Sequence, residues 1–228
     1  MAKRRTKRSK KREQMSAGDA LKVLDILEET HPDARVYLDY KTPLQLVVAT
    51  ILSAQCTDAK VNEITPALFR KYRTAEDFAN ADLSKLEQQV RSTGFFRKKA
   101  QRVRDCCALL VEEHGGKVPA DLEVLAKMEG IGRKTASVIA AEAFGIPAIA
   151  VDTHVERVST RLGMATGRTP GRIEKDLRGL IPENRWIRAT QLLGTHGRRI
   201  CSAKKPDHEA CPVRQYCAFY AELQSESK

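Results

Sequence analysis

From Ala17 onward the chain repeats apolar residues at helical spacing, and nowhere does it alternate for long enough to make a strand. Ala17, Ala20, Leu21, Leu24 and Leu27 follow the i, i+3, i+4, i+7 rule that lays an apolar stripe along one helix face. Similar patterns predict helices near 43–54, 58–70, 82–91 and 97–113. In the last of these Ala100, Val103, Cys107, Leu110 and Val111 form the stripe, and His114-Gly115-Gly116 stops it. Asp121 is a good N-cap for a short helix over 121–128. A longer helix should run from Arg133 to Phe144, with Ala136, Ile139, Ala140 and Ala143 inside, and end at Gly145 before Pro147. Helices over 153–162, 171–181 and 183–197 complete the body, with Ile173, Leu177, Leu180 and Ile181 facing inward. The expected fold is all-α and made of many short helices. No fixed-period repeat or Gly/Ser/Pro-rich linker divides it, and the best boundaries are Gly145-Ile146-Pro147 and His31-Pro32-Asp33.

At 228 residues the chain is long enough for a core that needs no disulfides. No uninterrupted apolar stretch approaches the roughly 18 residues of a membrane span, so no membrane partner is expected. The net charge of +11 favours an acidic partner, nucleic acid first. Eight of the cations, Lys3, Arg4, Arg5, Lys7, Arg8, Lys10, Lys11 and Arg12, lie in the first 12 residues, which hold no acid. Without them the balance is 32 basic against 29 acidic side chains. Any binding face must therefore come from where charges are placed. Residues 1–15 are expected to be a disordered basic tail, read either as a solubilising arm or as a salt-sensitive phosphate tether.

Six cysteines without a secretory signal point to a reducing compartment. Cys56, Cys106 and Cys107 sit in helical patterns and read as small packing residues. Cys201, Cys211 and Cys217 crowd one short stretch and, with His208, give the spacing C-x6-H-x2-C-x5-C.

The most informative stretch is Leu122–Ala136: a short helix, then Met128-Glu129-Gly130-Ile131-Gly132, then Arg133-Lys134-Thr135 opening the next helix. Gly130 and Gly132 allow a tight reversal with no side chain in front of it, and the N–H groups of the following helix start can grip a phosphate. The competing reading is an ordinary helix connection, since Gly-x-Gly alone is weak. Lys134 beyond the turn favours the phosphate contact, whereas Glu129 opposes it. Asp152, in Val151-Asp152-Thr153-His154, is expected to cap the helix that follows. A sharper reading pairs it with Lys134 across a cleft, as carboxylate and amine nucleophile.

Taken together, Leu52-Ser53-Ala54-Gln55-Cys56-Thr57-Asp58, Gly130-Ile131-Gly132-Arg133-Lys134-Thr135-Ala136 and Val151-Asp152-Thr153-His154 resemble the bacterial endonuclease III family. These are bifunctional DNA glycosylases of the helix–hairpin–helix–Gly/Pro–Asp superfamily, and the similarity keeps its register from about residue 16 to 220. The resemblance implies two helical domains with the active site in the cleft between them. One, residues 36–146, would be a six-helix barrel carrying the hairpin; the other, 16–35 with 147–228, would hold an iron–sulfur cluster. It implies base excision repair: removal of damaged, oxidised pyrimidines from duplex DNA, then cleavage 3′ to the abasic site by β-elimination. Lys134 matches the lysine that attacks the sugar and Asp152 the catalytic aspartate. Gln55 matches the residue that enters the gap left by the extruded base. Phe95 stands where the family places an apolar wedge, usually leucine. Gly130, Gly132, Arg133 and His154 join Gln55 and Phe95 as expected DNA contacts. The implied partner is double-stranded DNA with damaged or abasic sites, bound by a monomer in the bacterial cytoplasm, at the nucleoid.

The family holds its [4Fe–4S] cluster with four cysteines, and here the second is His208. Three readings stay open: Cys201, His208, Cys211 and Cys217 hold [4Fe–4S], the same Cys3His set holds zinc, or the site is empty. Two other functions also stay open. One is a non-catalytic helix–hairpin–helix DNA-binding module; the other is a glycosylase/lyase of this fold with different lesion choice. An RNA-binding role is disfavoured by an aromatic content of 5%, because single-strand readers stack bases on aromatic rings.

Overall fold

The computed structural model describes residues 14–226, which are all-α with no strand among them. The basic run 1–12 lies outside the described residues. Of the tail expected over 1–15, Gln14 and Met15 are described and both are held. Gln14 Nε2 donates to Met164 O, and Met15 N to Gly163 O, each at 2.8 Å. No described helix is long and apolar enough to cross a membrane.

Two compact units divide the chain. One comprises Arg35–Ala150 and Glu183–Gln191; the other comprises the residues up to Ala34, Val151–Pro182 and those from Leu192. The first contains α2 (Pro43–Leu52), α3 (Asp58–Lys71), α4 (Ala75–Ala79), α5 (Leu83–Gln89), α6 (Phe96–His114), α7 (Leu122–Lys127) and α8 (Arg133–Phe144). In α2 every residue from Leu46 to Leu52 is buried. A helix apolar on all sides must be surrounded, and α2 packs against α3, α6 and α8. Each fully buried Leu or Val side chain there stabilises the unit by roughly 1.5–3 kcal/mol. Thr42 accepts from Gln45 N as N-cap, and Pro43 occupies the first turn, where a missing N–H costs nothing. α6 buries Ala100, Val103, Cys107 and Leu110 of the expected stripe and adds Cys106, while Val111 is only half-buried. Burial pushes the Cys106 thiol up to about 12 and Cys107 higher still, so both are inert packing residues.

The second unit contains α1 (Ala17–Thr30), α9 (Thr153–Leu162), α10 (Pro170–Leu180) and α12 (Ala218–Glu226), with the C-terminal part of α11 (Trp186–Arg199). The inner face of α1 is Ala20, Val23, Leu24 and Leu27; Ala17 is exposed, because the stripe drifts around a 3.6-residue helix. The expected inward set of α10, Ile173, Leu177 and Leu180, is buried, as is Ile181 just after it. The helix expected over 82–91 ends at Gln89 and continues as a 3-10 turn at Arg91–Thr93. The one expected over 183–197 opens as a 3-10 turn and becomes α-helical at Trp186.

Candidate active site and metal centre

The hairpin forms as its glycines dictate. Asp121 accepts from Glu123 N and Val124 N to start α7. The chain then leaves α7 at Met128 and reverses through Gly130, whose φ of 84° lies in the left-handed region. Ile131 is buried and its N–H returns to Met128 O at 3.1 Å, closing the turn. Gly132 is the N-cap of α8 and has no side chain to satisfy the first-turn N–H groups. Those groups, with Arg133 and Lys134 exposed beside them, present partial positive charge of the kind that suits an anion. Arg133 is paired to Glu123 at 2.6 Å. Lys134 has no hydrogen bond or ion pair among the described residues.

Gln55 and Phe95 occupy the loops before α3 and α6. They are the two non-glycine residues with positive φ among those described, at 52° and 47°. Holding such residues left-handed costs roughly 1–2 kcal/mol each, and both side chains project outward: Phe95 is 65% exposed. Gly94 (φ 69°, ψ 157°) sits in a region that essentially only glycine enters, and it turns the chain so that Phe95 stands clear. One buried cation braces the second of these loops. Lys99, 2% exposed, donates its ammonium to Thr93 O at 2.6 Å and lies within electrostatic reach of Cys56. Burial pushes its pKa down, and Cys56 opposes the shift.

In the other unit, Asp152 is the N-cap of α9: Oδ1 accepts from His154 N and Val155 N, both at 2.8 Å. Oδ2 takes no hydrogen bond from the described residues, so one oxygen caps while the other stays open to a ligand. His154 is half-buried, with its Nδ1 3.1 Å from Arg157 Nη2. Burial holds its pKa below the usual histidine range.

Cys201, His208, Cys211 and Cys217 line one cavity of about 320 Å³, counting its open mouth. Its walls include Val158, Leu162, Ile200 and Phe219. Among the described residues no three His, Cys, Asp or Glu groups close on a point that would hold a single ion. Three soft sulfurs and an imidazole spread over cavity walls fit an iron–sulfur group by donor chemistry. Arg161 Nη1 donates to Cys201 Sγ at 3.2 Å, and the same guanidinium binds Ser202 O and Ala203 O and lies over the Phe219 ring. His208 packs beside Tyr220, ring centroids 4.9 Å apart. On another wall His196 Nε2 is 3.6 Å from Cys211 Sγ. Burial raises the Cys211 and Cys217 thiols and brings His196 down to about 4.

Sequence spacing alone does not mark out Lys99, Arg161, His31 or His196. A signal exists for two of them. Lys99 falls four residues before Val103, on the buried face of α6, and His196 four residues after Leu192 on that of α11. A polar side chain at an inward register has to find a partner.

A family model described as "HhH-GPD superfamily base excision DNA repair protein" matches residues 48–183. A second, "Iron-sulfur binding domain of endonuclease III", matches residues 201–217. Endonuclease III of Synechocystis sp. is 47% identical over 199 residues, covering 87% of this chain and 91% of that protein. The Escherichia coli enzyme is 33% identical over 205 residues, 90% and 97% of the two chains. Among solved structures, a trapped endonuclease III–DNA covalent intermediate superposes with a TM-score of 0.88 at 40% identity, covering 92% of this chain and all of that one. A thermostable thymine-DNA glycosylase shares the fold, with a TM-score of 0.75 at 22% identity. With more than half its length matched by the superfamily and such relatives along nearly all of it, the chain belongs to the HhH-GPD superfamily of base excision DNA repair proteins, in the endonuclease III family.

Proposed function

We propose that this bifunctional DNA glycosylase and AP lyase removes oxidised pyrimidines from duplex DNA and cuts 3′ to the abasic site through Lys134. The observation that carries the reading is the setting of Lys134: exposed, without a partner among the described residues, and one residue inside a helix whose open N-terminus can take the neighbouring phosphate. The covalent DNA complex of a 40% identical relative supports it.

A base inside a duplex is out of reach, so it must be unstacked, at a cost of about a few kcal/mol. Phe95 as wedge and Gln55 as plug offset this cost by filling the emptied stack, and both are already held outward. The Lys134 amine, once neutral, bonds to C1′ as the damaged base leaves with its bonding pair. The nitrogen lone pair then breaks the C1′–O4′ bond, O4′ taking up the proton that the nitrogen has shed, and the Schiff base so formed acidifies the C2′ protons; loss of one expels the 3′ phosphate, and water then frees the lysine. Asp152, with one carboxylate oxygen uncommitted, stabilises the positive charge that develops on the sugar or moves a proton. Gly130, Gly132, Arg133 and His154 contact the DNA. A water-using glycosylase has no need of a lysine here.

The Cys201, His208, Cys211 and Cys217 set holds a [4Fe–4S] cluster with an imidazole in place of a thiolate. A preformed tetrahedral zinc site would bring its four donors to one point, whereas these line a cavity. When bound, the cluster can exchange one electron; the base and sugar chemistry needs none. The domain reading, 16–35 with 147–228 and 36–146, is supported by the two compact units except over Glu183–Gln191, which belong with Arg35–Ala150. The enzyme acts as a monomer on nucleoid DNA in the bacterial cytoplasm. An altered lesion range is favoured by one observation, an exposed phenyl ring at position 95 where the family usually has leucine.

A cleavage panel on duplexes carrying different lesions, read beside metal content and visible absorption, tests the reading. Oxidised pyrimidines should be excised first, by a brown protein that contains iron. Preference for another lesion class corrects the substrate, and zinc in anaerobically purified protein corrects the cofactor.

A further inference from the structure

We infer that His31 and His196 form a buried relay that tunes the metal group: His196 donates its Nε2–H to the sulfur of Cys211, His31 holds it in that tautomer, and the hydrogen bond raises the group's reduction potential. The inference rests on the reading above, that Cys201, His208, Cys211 and Cys217 hold an iron–sulfur cluster.

The two imidazoles are among the most buried polar side chains described, 2% exposed for His31 and 1% for His196. His31 Nε2 lies 3.3 Å from His196 Nδ1, and His196 Nε2 lies 3.6 Å from Cys211 Sγ, so three groups line up from the core to the cavity wall. A cysteine that ligates iron is a thiolate and can only accept. A neutral imidazole has one donor nitrogen and one acceptor nitrogen. If Nε2 donates to sulfur, Nδ1 must accept, and the nitrogen facing it is His31 Nε2. The tautomers of both rings follow.

His31 is set firmly enough for this. It is the C-cap of α1, its N–H bonded to Leu27 O, and Asp33 two residues on is gripped by both terminal nitrogens of Arg199 at 2.8 and 2.7 Å. A hydrogen bond to a ligand sulfur drains electron density from the cluster and strengthens when the cluster gains an electron, which shifts the potential upward. His196 and His31 hold no reacting atom and act only through the Cys211 sulfur, so they are positioning residues. Their signature is a potential.

The test uses anaerobically purified holoenzyme, with iron content and visible absorption first establishing loading, then voltammetry on an electrode film. His196→Phe should lower the midpoint by an amount equal to about a tenfold change in the oxidised-to-reduced ratio, ~59 mV for a one-electron couple. His31→Phe, which acts through His196, should shift it in the same direction by less. An unchanged midpoint in either loaded variant overturns the relay. Should neither variant load, wild-type protein labelled with 15N-histidine decides. Pulsed EPR of the reduced cluster should show one strong coupling, from the ligating imidazole, and one weak one through the Cys211 sulfur. A single coupling overturns the relay, as do two strong couplings, which would make His196 itself a ligand. Wild-type protein without iron–sulfur absorption sinks the cluster reading first, and the relay with it.

Discussion

Lys99→Met removes the cation that holds the strained loop before α6 while keeping the length and apolar stem of the side chain. The ammonium–carbonyl bond to Thr93 O is charge-assisted and short, and such bonds are worth about 1.5–3 kcal/mol. Thr93 is itself buried, so its carbonyl is left without a donor and pays a desolvation cost of about 1–3 kcal/mol. Against this, the variant no longer buries an ammonium. The balance is a loss of about 1–3 kcal/mol, with Tm falling by about 2–4 °C per kcal/mol in a protein of this size. The pH dependence has a definite sign. Burial lowers the folded pKa of Lys99, so between that value and about 10.4 the unfolded state binds more protons, and wild-type stability rises with pH. Lys99→Met should lack that rise. With Thr93 released, Gly94 and Phe95 can relax from the left-handed region, and the wedge loses its aim. Excision of a damaged base should then slow by about tenfold for each 1.4 kcal/mol of lost wedge positioning. Cleavage at a preformed abasic site, which has no base to extrude, should slow much less. Denaturant melts over a pH series and paired assays on lesion and abasic duplexes measure both. Equal loss of the two activities, or a stability change below about 0.5 kcal/mol, would refute the reasoning.

Three further outcomes are expected. Asp152→Asn keeps an N-cap of equal quality, so melting should hold within about 0.5 kcal/mol while turnover falls at least 100-fold, an order of magnitude typical of a lost acid or base; near-normal turnover would reduce Asp152 to a cap. Gly197→Ala would place a Cβ 2.9 Å from His154 Cβ and 3.1 Å from Val158 Cγ2, so a loss of about 1–3 kcal/mol should appear in chemical melts. Deleting residues 1–12 removes eight cations, and the slope of log K against log salt should flatten by about 0.9 for each phosphate that the arm neutralises; an identical slope would leave the arm a solubiliser.

Much of the fold is legible in the sequence because its helices are amphipathic and punctuated. Arg133–Phe144 and Thr153–Leu162 can be bounded to the residue, since Gly132 or Asp152 starts each and Gly145 or Gly163 stops it. What escapes is short or weakly patterned. α4 has five residues, too few for a period, and is held by a capping box between Thr74 and Asp77. α12 begins directly after Cys217 and carries little apolar asymmetry to betray it. The hairpin and the Asp152 cap follow from local chemistry, as glycine angles and side-chain oxygens act within a few residues. Lys99 and His196 act across 6 and 15 residues or more, and spacing does not carry such contacts. Their only trace in the sequence is a polar residue on an inward face.

The central claim is that the Lys134 amine becomes covalently joined to deoxyribose. Wild-type protein incubated with an abasic duplex and sodium borohydride should yield one stable cross-link, mapped by peptide mass spectrometry to Lys134, and Lys134→Ala should bind the same duplex without forming it. A cross-link on another residue, or its persistence in Lys134→Ala, contradicts the account.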